Sequence, residues 1–166
     1  IIYHFDKEIR SKVVVKLGLK SIDDFNEVPR DDNGPPLLIY KPNLLINENF
    51  SDKGAENIKR TDQNGFCNNK AIQKNEAVDI IMLGDSFTWC LAIKPHKTFS
   101  SLIQEKTNMI SYNLAKPGIG PFEHLQLLKR FGLKNNPKYV FLNIYEGNDL
   151  RDLIKYYAHI YPSASS

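Results

Sequence analysis

Three short clusters of small and polar residues have the composition of a site for acyl transfer. The first, Gly84-Asp85-Ser86, follows the apolar run Ile80–Leu83 directly. A serine at the end of a buried strand can expose its hydroxyl while its backbone N–H faces the same pocket, which supplies a nucleophile and an oxyanion donor together. Gly84 allows a tight turn, and Asp85 can bind neighbouring N–H groups. The plainer interpretation of this cluster is a turn that ends a strand.

The other two clusters offer further hydrogen-bond donors. Gly118 lies in the run Lys116-Pro117-Gly118-Ile119-Gly120-Pro121, where a glycine lets a substrate approach a backbone N–H closely. Alternatively, this run is a flexible connection to a helix that begins at Pro121. Asn148, in Gly147-Asn148-Asp149, offers a side-chain amide as a third donor. Its alternative role is a helix cap, which Asp149 could also supply.

The periodicity of the second half predicts the elements that must position these clusters. Strands are predicted at 80–83, 109–114 and 139–145, and helices at 98–105, 121–131 and after residue 149. Thr98 is the expected cap of the first helix, and Pro121 and Gly132 the expected start and stop of the second. The expected core-facing residues are Phe99, Leu102 and Ile103 on the first helix, and Phe122, Leu125 and Leu128 on the second.

Alternating strands and helices predict parallel βαβ units and an α/β fold. All three clusters fall at the carboxyl ends of predicted strands, where ligand sites form in open parallel sheets. Residues 77–166 are therefore the expected core. Residues 1–76 are rich in Asn, Asp, Pro and Lys, and we expect short strands and loops laid over that core. The candidate strands there are Val13-Val14-Val15, Leu37-Leu38-Ile39-Tyr40 and Leu44-Leu45-Ile46.

Composition excludes some classes of function. The 166 residues suffice for one domain with a sizeable core. The net charge of +3 comes from 22 basic and 19 acidic residues that are mixed along the chain. Lysine supplies 17 of the 22 basic residues and no basic run exceeds a pair, so we expect a solvated surface and no nucleic-acid partner.

The cysteines and the start of the chain leave the compartment undecided. Cys67 and Cys90 form no metal-binding pattern, and they can pair only if their Cα atoms lie within about 7 Å. We expect two free thiols. The chain opens without Met or a signal-peptide core, so we expect a processed or cut piece. A membrane link would then run through an upstream segment that this sequence does not include.

The three clusters together resemble the conserved blocks of the SGNH (GDSL-like) hydrolases. Gly84-Asp85-Ser86-Phe87-Thr88 resembles block I, Asn113 followed by Gly118 resembles block II, and Gly147-Asn148-Asp149 resembles the Gly-x-Asn-Asp of block III. Their order is that of the family, and the resemblance covers residues 77 to about 152. Upstream, Tyr40-Lys41-Pro42-Asn43 and the run from Thr61 to Phe66 resemble the lead-in of a bacterial branch often linked to polysaccharide modification.

The resemblance implies a three-layer α/β/α fold with a flavodoxin-like parallel sheet, of which this chain holds a part. It implies that Ser86 is the nucleophile of an ester hydrolase and that the oxyanion hole combines the Ser86 N–H, the Gly118 N–H and the Asn148 amide. The implied substrates are acyl esters, chiefly acetyl esters of carbohydrates, with no metal or organic cofactor. The implied setting is extracytoplasmic or membrane-associated.

The sequence departs from the family pattern at the general base, which in the family is a C-terminal His with an Asp three residues before it. The residues three before His4, His96, His124 and His159 are Ile1, Ile93, Pro121 and Tyr156. We expect His96 in an exposed loop, His124 on a helix face and His159 at the surface. We also expect the gene product to continue past Ser166, and this piece to be nearly inactive because only the oxyanion hole and binding would remain. Cys90 and Cys67 also depart from the branch, which has Gly and often Arg there.

Four functions remain open at this point. An esterase would act through an acyl-Ser86 intermediate, and an O-acyltransferase would replace water with a sugar hydroxyl. A non-catalytic binding module on the same scaffold would need no base. A flavodoxin-like phosphate binder is disfavoured because no Gly-rich phosphate loop follows the strand at 80–83. The substrate and the oligomeric state are not specified by these residues.

Overall fold

The first part of the chain forms two short antiparallel strand pairs. The computed structural model describes residues 24–34, 36–48, 57–72 and 76–161. Strand β1 (Phe25–Val28) pairs with β2 (Leu37–Tyr40), and β3 (Leu45–Glu48) pairs with β4 (Asn57–Arg60). The run Val13-Val14-Val15 lies outside the described residues.

The second part of the chain forms a three-stranded parallel sheet. Its central strand, β5 (Ile80–Leu83), is flanked by β6 (Ser111–Asn113) on one side and β7 (Tyr139–Leu142) on the other. The chain therefore runs from the central strand β5 to the edge strand β6 and then crosses to the opposite edge strand, β7. The fold is mixed α/β with a parallel sheet, as the alternating pattern predicts. A reversal of this kind opens a crevice at the carboxyl ends of the strands.

The helix before β6 begins as predicted but packs on a different face. Helix α1 (Phe99–Thr107) is capped by Thr98, whose hydroxyl accepts the Ser101 N–H at 3.3 Å. Phe99 is exposed, and the predicted apolar face is wrong. The buried residue is Ser100, whose hydroxyl lies 2.8 Å from that of Ser111 in β6. A small side chain brings the helix close to the sheet, and a hydrogen bond satisfies both hydroxyls.

The second helix also starts as predicted, at Pro121, and differs beyond its second turn. Helix α2 (Pro121–Leu127) continues as one π-helical stretch and one 3-10 turn that ends at Asn135, so Gly132 does not stop it. The predicted apolar face is only partly correct: Leu128 packs against the core cluster, and Phe122 is half-buried against Tyr156. The buried residues of α2 are Glu123, His124, Gln126 and Leu127, whereas Leu125 is exposed.

Long-range polar contacts explain why polar residues of α2 are buried. Gln126 Nε2 donates to Asp31, and Glu123 lies 3.5 Å from Arg30 Nη1. Arg30 also pairs with Asp32, which accepts the Tyr156 hydroxyl at 3.0 Å. Tyr156 belongs to helix α3 (Asp149–Ile160), so the segment after β1 ties the last two helices together.

Both clusters of buried apolar side chains mix the two parts of the chain. The larger consists of Val28, Leu37, Ile39, Phe66, Val78, Ile81, Leu83, Tyr112, Leu114, Ile119 and Leu127. The smaller consists of Tyr40, Ile46, Cys67, Trp89, Cys90 and Ala115. The strands before β5 thus complete the core instead of enclosing one of their own.

Strand β7 and α3 expose apolar side chains. All four residues of β7 are exposed, on both faces of the strand, and β7 is an edge of the sheet as described. Ile154 of α3 is 68% exposed, which places it far outside any packed interface within the described residues. Among all the residues that the structure describes, no helix has the length and hydropathy needed to cross a bilayer.

Cys67 and Cys90 form a disulfide, so the expectation of two free thiols is wrong. Their Cα atoms lie 6.0 Å apart, within bridging range. The loop after β4 packs against the segment after Ser86 and brings the two together, and both cysteines are almost fully buried. Sequence could not reveal this pairing because it depends on the packing of two loops.

Removing the disulfide should lower stability without changing the fold. We expect the double variant Cys67→Ala, Cys90→Ala to lose about 2–4 kcal/mol in free energy of unfolding, because the bridge closes a loop in the unfolded chain. Urea denaturation followed by far-UV circular dichroism measures this loss. Equal stability of the oxidised wild type and the double variant would contradict the bridge.

Candidate functional site

Ser86 lies in a turn that the neighbouring Asp85 stabilises. It is the third residue after β5 and is half-buried. Asp85 is buried; its Oδ1 accepts the Phe87 N–H at 2.9 Å and its carbonyl accepts the Trp89 N–H at 3.0 Å. Among the described residues, the Ser86 hydroxyl makes one long contact, of 3.5 Å, with Asp85 Oδ2. Asp85 therefore organises the turn and binds the Ser86 hydroxyl only weakly.

Gly84 is required for close approach and not for an unusual backbone angle. Its φ lies outside the left-handed region. A Cβ at Gly84 would lie 2.2 Å from Thr88 Oγ1, and Thr88 is itself buried. The turn after β5 can fold back on the strand only because residue 84 has no side chain.

Asn113 links the loop of Gly118 to the turn that contains Ser86, which is called the Ser86 turn below. This last residue of β6 is fully buried, and its Nδ2 donates to the Thr88 carbonyl at 2.9 Å. Its Oδ1 accepts the Ala115 N–H at 2.9 Å, so both ends of the amide are used. One residue further on, the Lys116 N–H donates to the Gly84 carbonyl at 3.1 Å. Two hydrogen bonds, to the carbonyls of Thr88 and Gly84, therefore join the end of β6 and the loop after it to the Ser86 turn.

Gly118 lies exposed in the following turn with φ +73°, a conformation in which any side chain is strained. Glu123 Oε2 accepts the Gly120 N–H at 3.2 Å and so fixes the start of α2 behind this turn. The Lys116 ammonium donates to the Pro117 carbonyl at 3.0 Å. Burial lowers the pKa of Lys116 to about 8, partly opposed by the Glu123 carboxylate.

Asn148 stands at the cap position of α3 but makes no capping bond with its side chain. Its Nδ2 instead lies 3.1 Å from Asp152 Oδ2 and 3.4 Å from Asp149 Oδ1. Asp149 is fully buried and accepts the Tyr145 N–H at 2.8 Å, which closes the loop after β7. Burial raises the pKa of Asp149, and the nearby carboxylates of Asp85 and Asp152 raise it further.

The three loops meet at the carboxyl end of β5. Asn143, just after β7, donates both its backbone N–H and its Nδ2 to the Leu83 carbonyl, at 2.9 and 3.2 Å. The rings of Phe87 and Tyr145 are in contact, with centroids 4.4 Å apart. Together with the bonds from the loop after β6, these contacts bring the turns of Ser86, Gly118 and Asn148 to one edge of the sheet.

Three of the four histidines lie within the described residues, and His4 does not. His96 is exposed, as expected, but lies in a 3-10 turn, and His159 is exposed on α3. His124 lies on the buried side of α2 and is 1% exposed. The apolar pattern of α2 placed Leu125 inside and did not include His124, so the burial of His124 was not predicted.

His124 is a neutral imidazole packed close to Gly84 and Asp85 of the Ser86 turn. Burial lowers its pKa to about 4, and the Gly84 backbone and the Asp85 carboxylate offset this only in part. Neither ring nitrogen has a hydrogen-bond partner among the described residues. A buried imidazole that resists protonation is a poor proton acceptor for Ser86 at neutral pH.

Sequence reasoning missed two cavities, one beside β6 and one beside β4. Their volumes are about 470 and 540 Å³, and they share Asn68, Asn69 and His96 in their walls. Neither is lined by Ser86, Gly118 or Asn148. Isolated amides carry no sequence pattern that predicts a cavity.

Comparison with known proteins adds no assignment. No protein-family model, curated protein or solved structure matches the chain. Within the part of the chain that the structure describes, no three His, Cys, Asp or Glu side chains are grouped so that they could hold a metal ion. The candidate site is therefore defined by its own geometry and by the three motif blocks.

His124 should make stability depend on pH. Its pKa is about 4 in the folded protein and near 6.5 when exposed, so the unfolded chain binds the proton more tightly between these values. We expect the free energy of unfolding to fall as pH drops from 6.5 towards 4, and His124→Leu to remove this part of the slope.

Urea denaturation at several pH values measures both slopes. His96→Leu is the matched control for the loss of an imidazole, since His96 is exposed. Equal slopes for the wild type and His124→Leu would show that His124 is not buried as described.

Proposed function

We propose that the chain carries the nucleophile and the oxyanion donors of a serine ester hydrolase of the SGNH type, on a three-layer α/β/α scaffold. The observation that carries the proposal is the meeting of three motif-bearing loops at the carboxyl end of β5, where the strand order reverses. Hydrogen bonds from Asn143 and Lys116 to the carbonyls of Leu83 and Gly84 support this meeting point.

In this proposal the Ser86 hydroxyl attacks the carbonyl carbon of an ester and loses its proton to a general base. The negative oxygen of the tetrahedral intermediate is stabilised by the N–H groups of Ser86 and Gly118 and by the Asn148 amide. The alcohol leaves with a proton, and water then hydrolyses the acyl-Ser86 ester. No residue of this chain is assigned as the base.

The environment of Asn148 suits the proposed donor role. Asp152 holds its amide nitrogen at 3.1 Å, whereas the contact with Asp149 is long at 3.4 Å. One N–H can stay with Asp152 while the other turns to the substrate oxygen. The absence of a capping bond leaves the side chain available for this movement.

The proposed substrates are acyl esters, chiefly acetyl esters of carbohydrates. The proposed setting is extracytoplasmic or membrane-associated. The buried Cys67–Cys90 disulfide supports that setting, because disulfides persist mainly in oxidising compartments.

A non-catalytic binding module on the same scaffold is the second candidate. It is favoured because no histidine of the sequence has an Asp three residues before it. Such a module would retain the donors around Ser86 and bind an ester or a carbohydrate without turning it over. Activity of the full-length protein separates the two candidates.

Ser86→Ala should abolish ester hydrolysis by the full-length protein. We expect the turnover of 4-nitrophenyl acetate to fall at least about 10³-fold, since removal of a serine nucleophile leaves only the oxyanion hole and binding. Ser101→Ala, in α1, is the control and should retain full turnover. Unchanged turnover in Ser86→Ala would refute the assignment, and an inactive wild type would favour the binding module.

Asn148→Ala should lower kcat while KM changes little, because the amide acts on charge that develops in the transition state. The expected loss in kcat is about 10²–10³-fold. Steady-state kinetics with the same ester measures it, and Asn69→Ala, at an exposed position, is the control. A kcat equal to that of the wild type would remove Asn148 from the oxyanion hole.

A further inference from the structure

We propose that Phe87 and Tyr145 form a stacking platform for the sugar ring that carries the ester, a proposal that rests on the proposed function. The two rings lie with their centroids 4.4 Å apart at an angle of 41°. Phe87 is 64% exposed and Tyr145 is 43% exposed, so both residues present part of their surface to solvent. Phe87 follows Ser86 directly, and Tyr145 is three residues before Asn148.

The platform is fixed by the same carboxylates that shape the site. Asp85 accepts the Phe87 N–H at 2.9 Å, and Asp149 accepts the Tyr145 N–H at 2.8 Å. The Tyr145 ring also packs against the backbone of Gly147, where a Cβ would lie 2.5 Å from it. Both rings are therefore positioned before a ligand arrives, which reduces the entropy lost on binding.

The chemistry of this surface favours a sugar ring over a long acyl chain. An alkyl chain gains affinity through burial in an enclosed apolar channel. Neither of the two cavities, beside β6 and beside β4, is lined by Ser86, so neither offers such a channel next to it. A pyranose presents an apolar C–H face that can cover an exposed aromatic ring. Its hydroxyls can reach the polar groups nearby, which include Asn148, Asp152 and the exposed Glu146.

The position of the rings predicts which part of the substrate they contact. Because they adjoin the nucleophile and not an interior pocket, they would hold the alcohol portion of the ester while the small acyl group faces the oxyanion donors. The platform should therefore affect sugar esters and spare esters of small acyclic alcohols.

Two esters of acetic acid test this selectivity in the full-length protein, with acetate release as the readout. For Phe87→Leu and Tyr145→Leu we expect KM for methyl 6-O-acetyl-glucopyranoside to rise about 5–10-fold, while kcat/KM for triacetin stays within about twofold. Phe99→Leu is the matched control, because Phe99 is 58% exposed on α1 away from the loops of the site. This variant should leave the kinetic constants for both esters unchanged. Equal losses on both esters would overturn the platform, since the rings would then only support the loops.

A binding measurement separates failure of the platform from failure of the proposed function. Saturation-transfer NMR with methyl glucopyranoside needs no turnover, and we expect the wild type to bind this probe more tightly than either variant. If the wild type hydrolyses neither ester but shows this difference, the platform stands and the esterase proposal fails. If both variants bind the glucoside as well as the wild type does, the platform is wrong whatever the activity.

Discussion

The carbonyl groups at the end of β5 hold the candidate site together. Leu83 accepts two donors from Asn143, on the β7 side, and Gly84 accepts the Lys116 N–H, on the β6 side. A strand end normally leaves such carbonyls to water, but here they join the loops of both neighbouring strands. The Ser86 turn lies between these loops, so its position relative to Gly118 and Asn148 depends on these few hydrogen bonds.

A second set of contacts holds the Ser86 turn from outside the sheet. The Asn68 amide bonds to Asp62 and to the Asn113 carbonyl, and Asn113 in turn bonds to Thr88. The Cys67–Cys90 disulfide joins the same two segments. The segments before β5 therefore act on the site through the residues just after Ser86, although they provide none of the proposed donors.

The sequence predicted those features that depend on local pattern. The parallel sheet, the Thr98 cap and the start of α2 at Pro121 follow from periodicity and from residue preferences at helix ends. The predicted buried face of α1 was wrong and that of α2 was only partly correct, because Gln126 and Glu123 find partners some 90 residues away and Ser100 packs through its small size. The disulfide and the burial of His124 likewise depend on tertiary contacts that no local pattern encodes.

The central claim is that Ser86 carries the acyl group during turnover. Rapid quenching of the full-length protein with an acetyl ester, followed by mass spectrometry of its peptides, tests this claim directly. The account predicts a transient gain of one acetyl group on the peptide that contains Ser86. Turnover of the ester with acetylation of another residue, or with no acetylated protein at any time, would contradict it.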